Sequence, residues 1–526
     1  MRADAYTPEK DWRRVLIWAG LILAVSCLPY LIAWRAAPPG YQFGGILVNP
    51  YDGNSYLAKM RQGWAGMWQF HLAYTPEPHD GAYIFLFYLG LGHLARLLGA
   101  PLALVYHVAR VAAGFALLLV VYAFLLRLSH DRHERRLAFW LAGTTAGLGW
   151  LGVTLGAFPI DLWVPEAFVF YSLLSNPHFP LAIALMLAIV GGVVWPRRGV
   201  WRWLAPGLLA LALALVQPFA LAVIYLGLAL YLLLRRWLDE SWPWPASVAA
   251  ISVVLFSVPV LLYDYRVYTA NPMLAAWSAQ NLTPAPPVWD LGLGLGLVGL
   301  LAILGGVVVM RGRDRAGLAL VSWSVVTLVL VYVPFALQRR FLTGLGLPLA
   351  LLAAVGLARW LLPRLSPRRG RLLSIFTLVF SASGNVFLLA VLTAGALARQ
   401  AQPQAFAQVY LSQDEAAAME WLLEHGQDRV VLATTRTGML LPGRAGVRVF
   451  VGHPFETVDF EVKQAQADAF FRGEMSAEEW REIQGQYSID YVFVGPLEQS
   501  LGGGEDHLRG LEPAFRQGEV SIYHLD

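Results

Sequence analysis

The residue with the clearest capacity for chemistry is Asp52, which lies in a polar stretch after the first hydrophobic segment. Large apolar or aromatic side chains then recur every fourth residue, at Tyr56, Met60, Trp64 and Trp68. This spacing predicts an amphipathic helix. Lys59 and Arg61 lie on its other faces, and cations beside an aromatic face suit a helix in the headgroup zone of a membrane. The helix would hold Asp52 at the membrane surface, with Tyr56, Lys59 and Arg61 as candidate substrate-binding residues.

Two further polar sites fall in loops that the pattern of hydrophobic segments assigns to the same side of the membrane. One contains Asp161 and Glu166, and the other contains Arg339 and Arg340. Carboxylates can deprotonate a hydroxyl or hold a metal, and paired arginines can stabilise a phosphate leaving group. Asp52, Asp161 and Glu166 are therefore candidate catalytic residues, and Arg339 and Arg340 are candidate substrate-binding residues.

His178 stands at the outer mouth of a hydrophobic segment, beside the loop of Asp161 and Glu166. It is a candidate substrate-binding residue, although a hydrogen-bonded histidine in a helix-start turn explains it equally well. Imidazole and carboxylate suit Zn or Mn, so Asp52, Glu166 and His178 are candidate ligands for a divalent metal. A second polar group could add ligands, but loop solvation is the favoured explanation for it: His71, Glu77, His79 and Asp80.

Composition identifies the class of protein. The chain is 57% hydrophobic and 14% charged, with a mean hydropathy of +0.53, whereas soluble domains carry roughly 25% charged residues. This composition predicts a polytopic membrane protein. Its single cysteine, Cys27, excludes an intrachain disulfide.

Charge is distributed unevenly along the chain. Residues 401–526 contain 20 Asp and Glu but only 9 Lys and Arg, although the whole chain has a net charge of +4. The basic excess lies in short loops between hydrophobic segments, as the positive-inside rule expects, and does not indicate nucleic-acid binding. We predict a membrane module over residues 1–400, with outer loops 35–82, 157–177 and 264–290, and a separate soluble domain over 401–526.

Hydrophobic runs and basic loops together predict about eleven membrane crossings. They are 15–34, 101–126, 137–156, 179–195, 203–216, 219–234, 246–263, 291–310, 316–334, 341–362 and 372–397. Basic residues before the first segment place the amino terminus in the cytoplasm, and an odd number of crossings places the carboxy-terminal domain outside. The run 83–98 is too short for a span and is predicted to be interfacial or re-entrant.

The carboxy-terminal domain reads as α/β. Ser412 and Ser476 each stand three residues before a glutamate, which is the pattern of a capping box at a helix start. Short β-branched runs at 430–433, 447–451, 491–494 and 520–523 suit a buried sheet. The alternating glycines Gly292, Gly294 and Gly296 lie in a hydrophobic segment and predict close helix packing rather than nucleotide binding.

Together these features resemble the GT-C superfamily of polytopic glycosyltransferases, which use polyprenyl-linked sugars. The resemblance rests on N-P-Y-D-G around Asp52, the tyrosine-bearing run 83–88, the acidic loop from Asp161 to Glu166, many spans and an extracytoplasmic tail. It implies that Asp52 is the base that activates the acceptor, that Asp161 or Glu166 positions a metal or substrate, and that Arg339 or Arg340 neutralises the departing lipid phosphate. The acidic pair of much of the family is adjacent, whereas Asp161 and Glu166 are five residues apart.

The predicted function is transfer of a sugar from a polyprenyl phosphate or diphosphate carrier to an extracytoplasmic glycan, lipid or protein. Two alternatives remain. A transporter or flippase of a lipid-linked substrate would explain the many spans and the break near Gln217 and Pro218, which resembles a discontinuous helix. A non-catalytic membrane scaffold would use the acidic tail to bind partners.

Overall fold

Helices form most of the chain in the computed structural model, which describes residues 8–399 and 409–525. The first eleven are α1 (Pro8–Arg35), α2 (Pro50–Ala65), α3 (Leu86–Leu98), α4 (Leu102–Leu128), α5 (Arg132–Thr144), α6 (Gly149–Thr154), α7 (Val169–Leu174), α8 (His178–Val194), α9 (Trp201–Val216), α10 (Ala220–Asp239) and α11 (Trp244–Ala270). The others are α12 (Pro272–Gln280), α13 (Val288–Gly312), α14 (Arg315–Leu330), α15 (Gly346–Gly356), α16 (Pro367–Arg399), α17 (Gln413–His425), α18 (Thr435–Ala445), α19 (Phe460–Arg472), α20 (Ala477–Tyr487), α21 (Pro496–Leu501) and α22 (Glu505–Leu508). Short 3₁₀ turns cover Ile160–Leu162, Pro165–Ala167, Gln338–Leu342 and Leu362–Arg364, and a π-helical turn covers Leu357–Leu361.

Strands are few and short. They are β1 (Tyr41–Phe43), β2 (Tyr410–Ser412), β3 (Val430–Leu432), β4 (Arg448–Val449), β5 (Ile489–Val494), β6 (Phe515–Gln517) and β7 (Val520–His524).

Seven helical segments of the described chain are long and apolar enough to cross a membrane, so the chain is a multi-pass membrane protein. They are Asp11–Arg35, Leu102–Leu128, Ala220–Asp239, Trp244–Ala270, Val288–Gly312, Gln338–Arg364 and Pro367–Ala398. Four further apolar helices are shorter: α3, α8, α9 and α14. Seven of the eleven predicted crossings therefore have full-length helices, and the total of eleven is not confirmed.

The predicted crossing at 137–156 is not one continuous helix. It divides into α5 and α6, and the residues between them bond to distant backbone instead. The N–H of Ala146 donates to Ser381 O at 2.7 Å, and the N–H of Leu148 donates to Leu293 O at 2.9 Å. Because these neighbours satisfy the freed donors, the break costs little in unpaired backbone groups.

The chain divides into two compact units. The first comprises residues 1–28, 108–263 and 283–391, and the second comprises 29–107, 264–282 and 392–526. The division falls within α1, α4, α11 and α16. Each unit is therefore assembled from segments that are distant in sequence.

The first unit is a helical bundle built around α15, every residue of which is buried. Helices α5, α13 and α14 pack against it. Gly305 of α13 lies directly on the backbone of α15, where an added Cβ would overlap the Leu352 carbonyl group. Small residues thus let these helices approach closely, as is typical of membrane bundles.

The glycine series in α13 serves the predicted packing at one position and a bend at another. A Cβ at Gly294 would meet the side chain of Ile160, and Gly147 lies against the Gly294 carbonyl group. Gly296 has φ 50° and ψ −140°, a conformation that interrupts the helix and favours glycine. Gly292 has no neighbour within 4 Å of an added Cβ, so the packing prediction does not hold there.

The second unit contains a five-stranded sheet with strand order β4-β3-β5-β7-β6. Strands β4, β3 and β5 are parallel, whereas β7 is antiparallel to both β5 and β6. All four predicted strand runs lie in it, and both predicted capping boxes are formed, at Ser412 and Ser476. The predicted α/β character of the tail is therefore confirmed.

Helices cover both faces of this sheet because its side chains alternate between them. Val431 and Phe493 face a cluster that includes Met419 of α17 and Met439 of α18. Leu432 and Val492 lie in the opposite cluster, with residues of α19 and α20. Strand β2, immediately before α17, pairs antiparallel with β1, which lies between α1 and α2.

Candidate functional site

Asp52 lies in the first turn of α2, in the second unit. The helix starts at Pro50, whose missing N–H is not needed at this position. Asn49 before it has a left-handed backbone, with φ 48°, which asparagine tolerates better than most residues. Its Nδ2 donates to Asp52 Oδ2 at 2.5 Å. A carboxylate near a helix N-terminus is also favoured by the helix dipole, so the local sequence fixes this side chain.

His453 faces the other oxygen of the Asp52 carboxylate. Its Nε2 lies 3.9 Å from Asp52 Oδ1, and its Nδ1 accepts the N–H of Phe455 at 3.1 Å. Because Nδ1 acts as acceptor, the proton of the neutral ring is on Nε2 and points toward Asp52. Burial lowers the pKa of His453, and the nearby Glu456 and Asp52 carboxylates only partly oppose this. The imidazole is therefore neutral at pH 7.

The turn that carries His453 is rigid. The carbonyl of His453 accepts the N–H groups of Glu456 and Thr457, at 3.1 and 2.9 Å, and the Thr457 hydroxyl accepts the N–H of Gly452. Gln280, at the end of α12, donates to Thr457 O at 2.7 Å. Residues from α2, α12 and the carboxy-terminal α/β region of the second unit thus meet around this turn.

Lys59, two turns after Asp52 along α2, forms a buried ion pair with a residue of this turn. Its Nζ lies 2.8 Å from Glu456 Oε1 and 2.6 Å from Ser55 Oγ, and Ser55 also donates to Glu456. Burial would raise the pKa of Glu456, but Lys59, His453 and the hydrogen bonds from Lys59 and Ser55 lower it overall. The ring of Phe85 lies 4.6 Å from the ammonium and adds a cation–π contact. The pair ties α2 to the carboxy-terminal domain.

These contacts correct the expectation that Lys59 meets lipid phosphate at the surface. Its side chain is only 1% exposed, because its partner Glu456 lies in the folded tail. Tyr56 is half-buried and stacks on Tyr88, with the two ring centroids 4.1 Å apart. Arg61 is half-buried and donates to Gly443 O at 3.2 Å. The predicted helix forms over Pro50–Ala65 only, so Trp68, the last of the four repeating side chains, lies beyond its end. Of the four, only Trp64 and Trp68 are exposed.

The second polar group of the first outer loop makes structural contacts. His79 accepts the N–H of Leu72 at 2.8 Å, and its other ring nitrogen lies 2.9 Å from Glu77 O. Burial lowers its pKa. The Glu77 carboxylate pairs with Lys463 of α19, which is fully buried. Both side chains are therefore used within the fold.

Asp161, in the first unit, holds the break between α5 and α6. Its Oδ2 accepts the N–H groups of Gly147 and Gly149, at 3.0 and 3.1 Å, while Oδ1 is buried without a hydrogen-bond partner among the described residues. Burial raises the pKa of Asp161 to about 6, against the lowering effect of these hydrogen bonds. Its geometry is that of a helix-start cap.

Asp161→Asn should change the pH dependence of stability. The pKa of Asp161 is higher in the folded state than in the unfolded state. The folded protein is therefore most stable below about pH 4, where Asp161 is protonated in both states, and it loses stability as the pH rises through about 6. The amide oxygen can still accept both N–H groups. We therefore expect the variant to be more stable than the wild type near pH 8, by up to about 3 kcal/mol, with the advantage shrinking toward about pH 4. Thermal unfolding of the detergent-solubilised protein at both pH values measures this. An equal loss at both would contradict it.

Arg339 and Arg340 follow Gln338 in a 3₁₀ turn of the first unit. The guanidinium of Arg339 lies 5.1 Å from the ring of Trp163, and that of Arg340 lies 5.6 Å from the ring of Phe219. The Nε of each is buried without an acceptor, and neither has an acidic partner within 4 Å in residues 8–399 or 409–525. Two cations are thus oriented by aromatic rings and keep donors available for an anion.

The acidic loop lies next to this turn. The carbonyl of Glu166 accepts the N–H of Gly344 at 2.8 Å, and Trp163 belongs to the same loop. The Glu166 carboxyl is buried and has no ion-pair partner in the described chain. Gln217, at the break between α9 and α10, donates to Thr343 Oγ1 at 2.7 Å. The broken helix pair therefore contributes to the surroundings of Arg340.

The candidate metal ligands do not form one cluster. Asp52 belongs to the second unit, whereas Glu166 and the buried His178, the first residue of α8, belong to the first. Within the described residues, no group of three or more His, Cys, Asp or Glu side chains could hold a metal ion.

Sequence reasoning did not assign His453 or Glu456 to the site. Both lie in the segment G-H-P-F-E-T, a polar turn in an otherwise regular α/β sequence. The clustering of a histidine and a glutamate three residues apart was the available signal. Their partners on α2 are about 400 residues away, so the pairing itself has no local signature.

Comparison with known proteins gives a fold but no sequence relative. No family model and no curated protein sequence matches the chain. The structure of ArnT from Cupriavidus metallidurans bound to undecaprenyl phosphate is similar, with a TM-score of 0.53 and 13% identity over 96% of this chain and 98% of that chain.

Two further structures are similar at lower scores. Archaeal oligosaccharyltransferase AglB from Archaeoglobus fulgidus has a TM-score of 0.47 and 13% identity over 90% of this chain and 69% of that chain. Arabinofuranosyltransferase AftD from Mycobacteria has a TM-score of 0.48 and 15% identity over 96% of this chain and 40% of that chain. The similarity to ArnT shows that this chain has the fold of that protein, in agreement with the resemblance of its sequence to the GT-C superfamily.

Proposed function

We propose that this chain is a membrane glycosyltransferase that moves a sugar from a polyprenyl phosphate or diphosphate carrier to an acceptor. The observation that carries the proposal is the exposure of the Asp52 carboxylate. Its side chain is 38% exposed, whereas the neighbouring Lys59, Ser55 and Glu456 are buried and paired with one another. A carboxylate that is held by Asn49 at a helix start and is still accessible is suited to act as a general base.

In the proposed reaction, Asp52 accepts the proton of an acceptor hydroxyl or amine as that atom attacks the anomeric carbon of the sugar. The bond from that carbon to the carrier phosphate breaks, and the negative charge passes to the departing phosphate. Arg339 and Arg340, which have aromatic support but no acidic partner among the described residues, would bind this phosphate. Glu166 would orient the substrate, and Asp161 would act through the backbone that it caps.

His453 would act as a positioning residue for Asp52. Its Nε2–H points toward Oδ1 across 3.9 Å, a gap that one substrate oxygen or water can bridge. The N–H would hold that oxygen next to the carboxylate. Because the imidazole is neutral, it does not form an ion pair with Asp52, which would make that carboxylate a weaker base.

His453→Phe should slow transfer by about 10-fold, since it keeps the ring volume but removes one hydrogen-bond donor. His453→Gln places an amide N–H at a similar reach and should retain most of the activity. Initial rates and unfolding midpoints of both variants measure this. Unchanged activity in His453→Phe, with an unchanged midpoint, would rule out the positioning role.

If a divalent metal takes part, Asp52, Glu166 and His178 are each a candidate for a single ligand and do not form one shared site, because no group of three such side chains occurs among the described residues. Imidazole and carboxylate suit Zn or Mn. Activity measured after chelation and after adding back single metals tests this.

The proposed topology has eleven crossings, with the amino terminus in the cytoplasm and residues 401–526 forming an extracytoplasmic domain. It requires α5, α8, α9 and α14 to cross in addition to the seven long segments. Protease digestion of right-side-out and inverted vesicles tests the sidedness, since only one orientation should release the tail.

The function is tested by supplying membranes that contain the protein with a panel of radiolabelled polyprenyl-linked sugars. We expect transfer or hydrolysis of one donor class. No turnover of any donor, with lipid binding retained, would favour the transporter or the scaffold.

A further inference from the structure

Four arginines surround a single aspartate at the amino end of α1, in the first unit. Asp11 lies 3.9 Å from Arg14, 3.5 Å from Arg132, 3.6 Å from Arg135 and 3.9 Å from Arg136, measured between the nearest guanidinium nitrogen and carboxylate oxygen. The Asp11 side chain is nearly buried. One carboxylate therefore faces four guanidinium groups.

Arg14, Arg135 and Arg136 share the Asp11 carboxylate as one group, with three positive charges to one negative charge. Its distances are long compared with the roughly 2.7–2.9 Å of a charge-assisted hydrogen bond. Each guanidinium has five N–H donors, so these arginines together have more donors than one carboxylate can accept. The neighbouring Glu134 does not help, because it pairs with Arg359 at 2.8 Å. In the part of the chain whose side chains are described, Arg14 and Arg136 have no acidic partner other than Asp11.

The arginines line an open cleft, whose walls also include Trp18 and Tyr122. Arg135 is anchored in the wall, since its Nη1 donates to Ser129 O and His130 O at 3.0 and 2.9 Å. The cleft lies where α1 begins, α4 ends and α5 begins, so it lies at the end of two long apolar helices. Aromatic and basic side chains together at such a level are typical of the headgroup zone.

We propose that this cleft binds the phosphate of an anionic phospholipid, with Arg14 and Arg136 as its exposed donors and Arg135 as its fixed wall. Basic pockets between membrane helices bind anionic headgroups, and each arginine near such a surface strengthens binding. Asp11 keeps the arginines together when no lipid is bound. The site is independent of the proposed sugar transfer.

The full-length protein, purified in neutral detergent and depleted of lipid, tests this. Thermal unfolding is followed during titration with phosphatidylglycerol, with phosphatidylcholine and with soluble glycerol phosphate. We expect phosphatidylglycerol alone to stabilise the wild type, and we expect Arg14→Gln/Arg136→Gln to weaken its apparent affinity by about 10-fold or more. Equal stabilisation by phosphatidylcholine would overturn the proposal. Equal stabilisation by glycerol phosphate would overturn the assignment to lipid.

Arg197→Gln/Arg198→Gln is the matched control, because it removes two exposed arginines from another basic loop. An equal loss of affinity in this variant would overturn the proposal, since the effect would then be one of overall charge. Asp11→Asn separates binding from packing. Removing the competing carboxylate should leave phosphatidylglycerol binding at least as tight as in the wild type. Loss of binding would overturn the proposal, since it would mean that the group only holds α1 against α5.

Discussion

Asp52→Asn should lower the rate of sugar transfer by roughly 10²- to 10⁴-fold, because an amide cannot accept the proton of the attacking group. The fold should change little. Asparagine has the same shape, and Asn49 can still donate to its side-chain oxygen. Losing the negative charge from the first turn of α2 costs about 0.3–1 kcal/mol of stability. The initial rate with saturating donor and acceptor, measured beside the thermal unfolding midpoint, separates the two effects.

Asp428→Asn is the control for this change. Asp428 is exposed in the same unit and has φ 58°, a conformation that asparagine adopts readily. It should keep full activity and stability. If Asp52→Asn were as active as this control, Asp52 would not be the base, and its exposed carboxylate would have no role in sugar transfer.

The sequence was sufficient to predict features that depend on local pattern. The helix after Asn49, the capping boxes at Ser412 and Ser476, and the four buried strand runs all follow from spacing and residue type within a few positions. Local backbone preference and side-chain alternation determine them. They describe elements, however, and not what each element packs against.

Long-range partners explain the errors. Lys59 resembles a surface cation because its helix has an apparent polar face, yet Glu456 buries it from a position 397 residues later. The run 137–156 has the hydropathy of a single span, but it is broken where Asp161 accepts two of its N–H groups. The sequence of the helix itself contains no signal for either contact, because each partner lies outside that helix.

The candidate site residues also depend on long-range contacts. In the first unit the acidic loop lies next to the arginine turn, with Arg339 on Trp163 and Gly344 bonded to Glu166. Positive charges at the outer end of two predicted spans were the signal. His453 could be noticed in the sequence as part of an unusual segment, but its orientation toward Asp52 depends on the folded turn.

The second large effect is expected when the buried pair between α2 and the carboxy-terminal domain is broken. Lys59→Met leaves the Glu456 carboxylate buried with only Ser55 as a hydrogen-bond partner, and should cost about 3–5 kcal/mol of stability. Glu456→Gln leaves a buried ammonium and should cost a similar amount. The double variant buries no unpaired charge and should recover much of the loss. Thermal unfolding of all three variants beside the wild type gives the coupling.

Arg429→Gln sets the scale, because it breaks an exposed pair with Asp490 in the same unit and should change stability by no more than about 1 kcal/mol. If Lys59→Met were no worse than this control, the buried pair would not hold α2. If the double variant were as unstable as either single change, the loss would come from packing and not from unpaired charge. Because Lys59 and Asp52 share α2, and Glu456 and His453 share one turn, the single variants should also misalign Asp52 and His453. Activity should then fall further than the unfolded fraction alone explains, and recover only in part in the double variant.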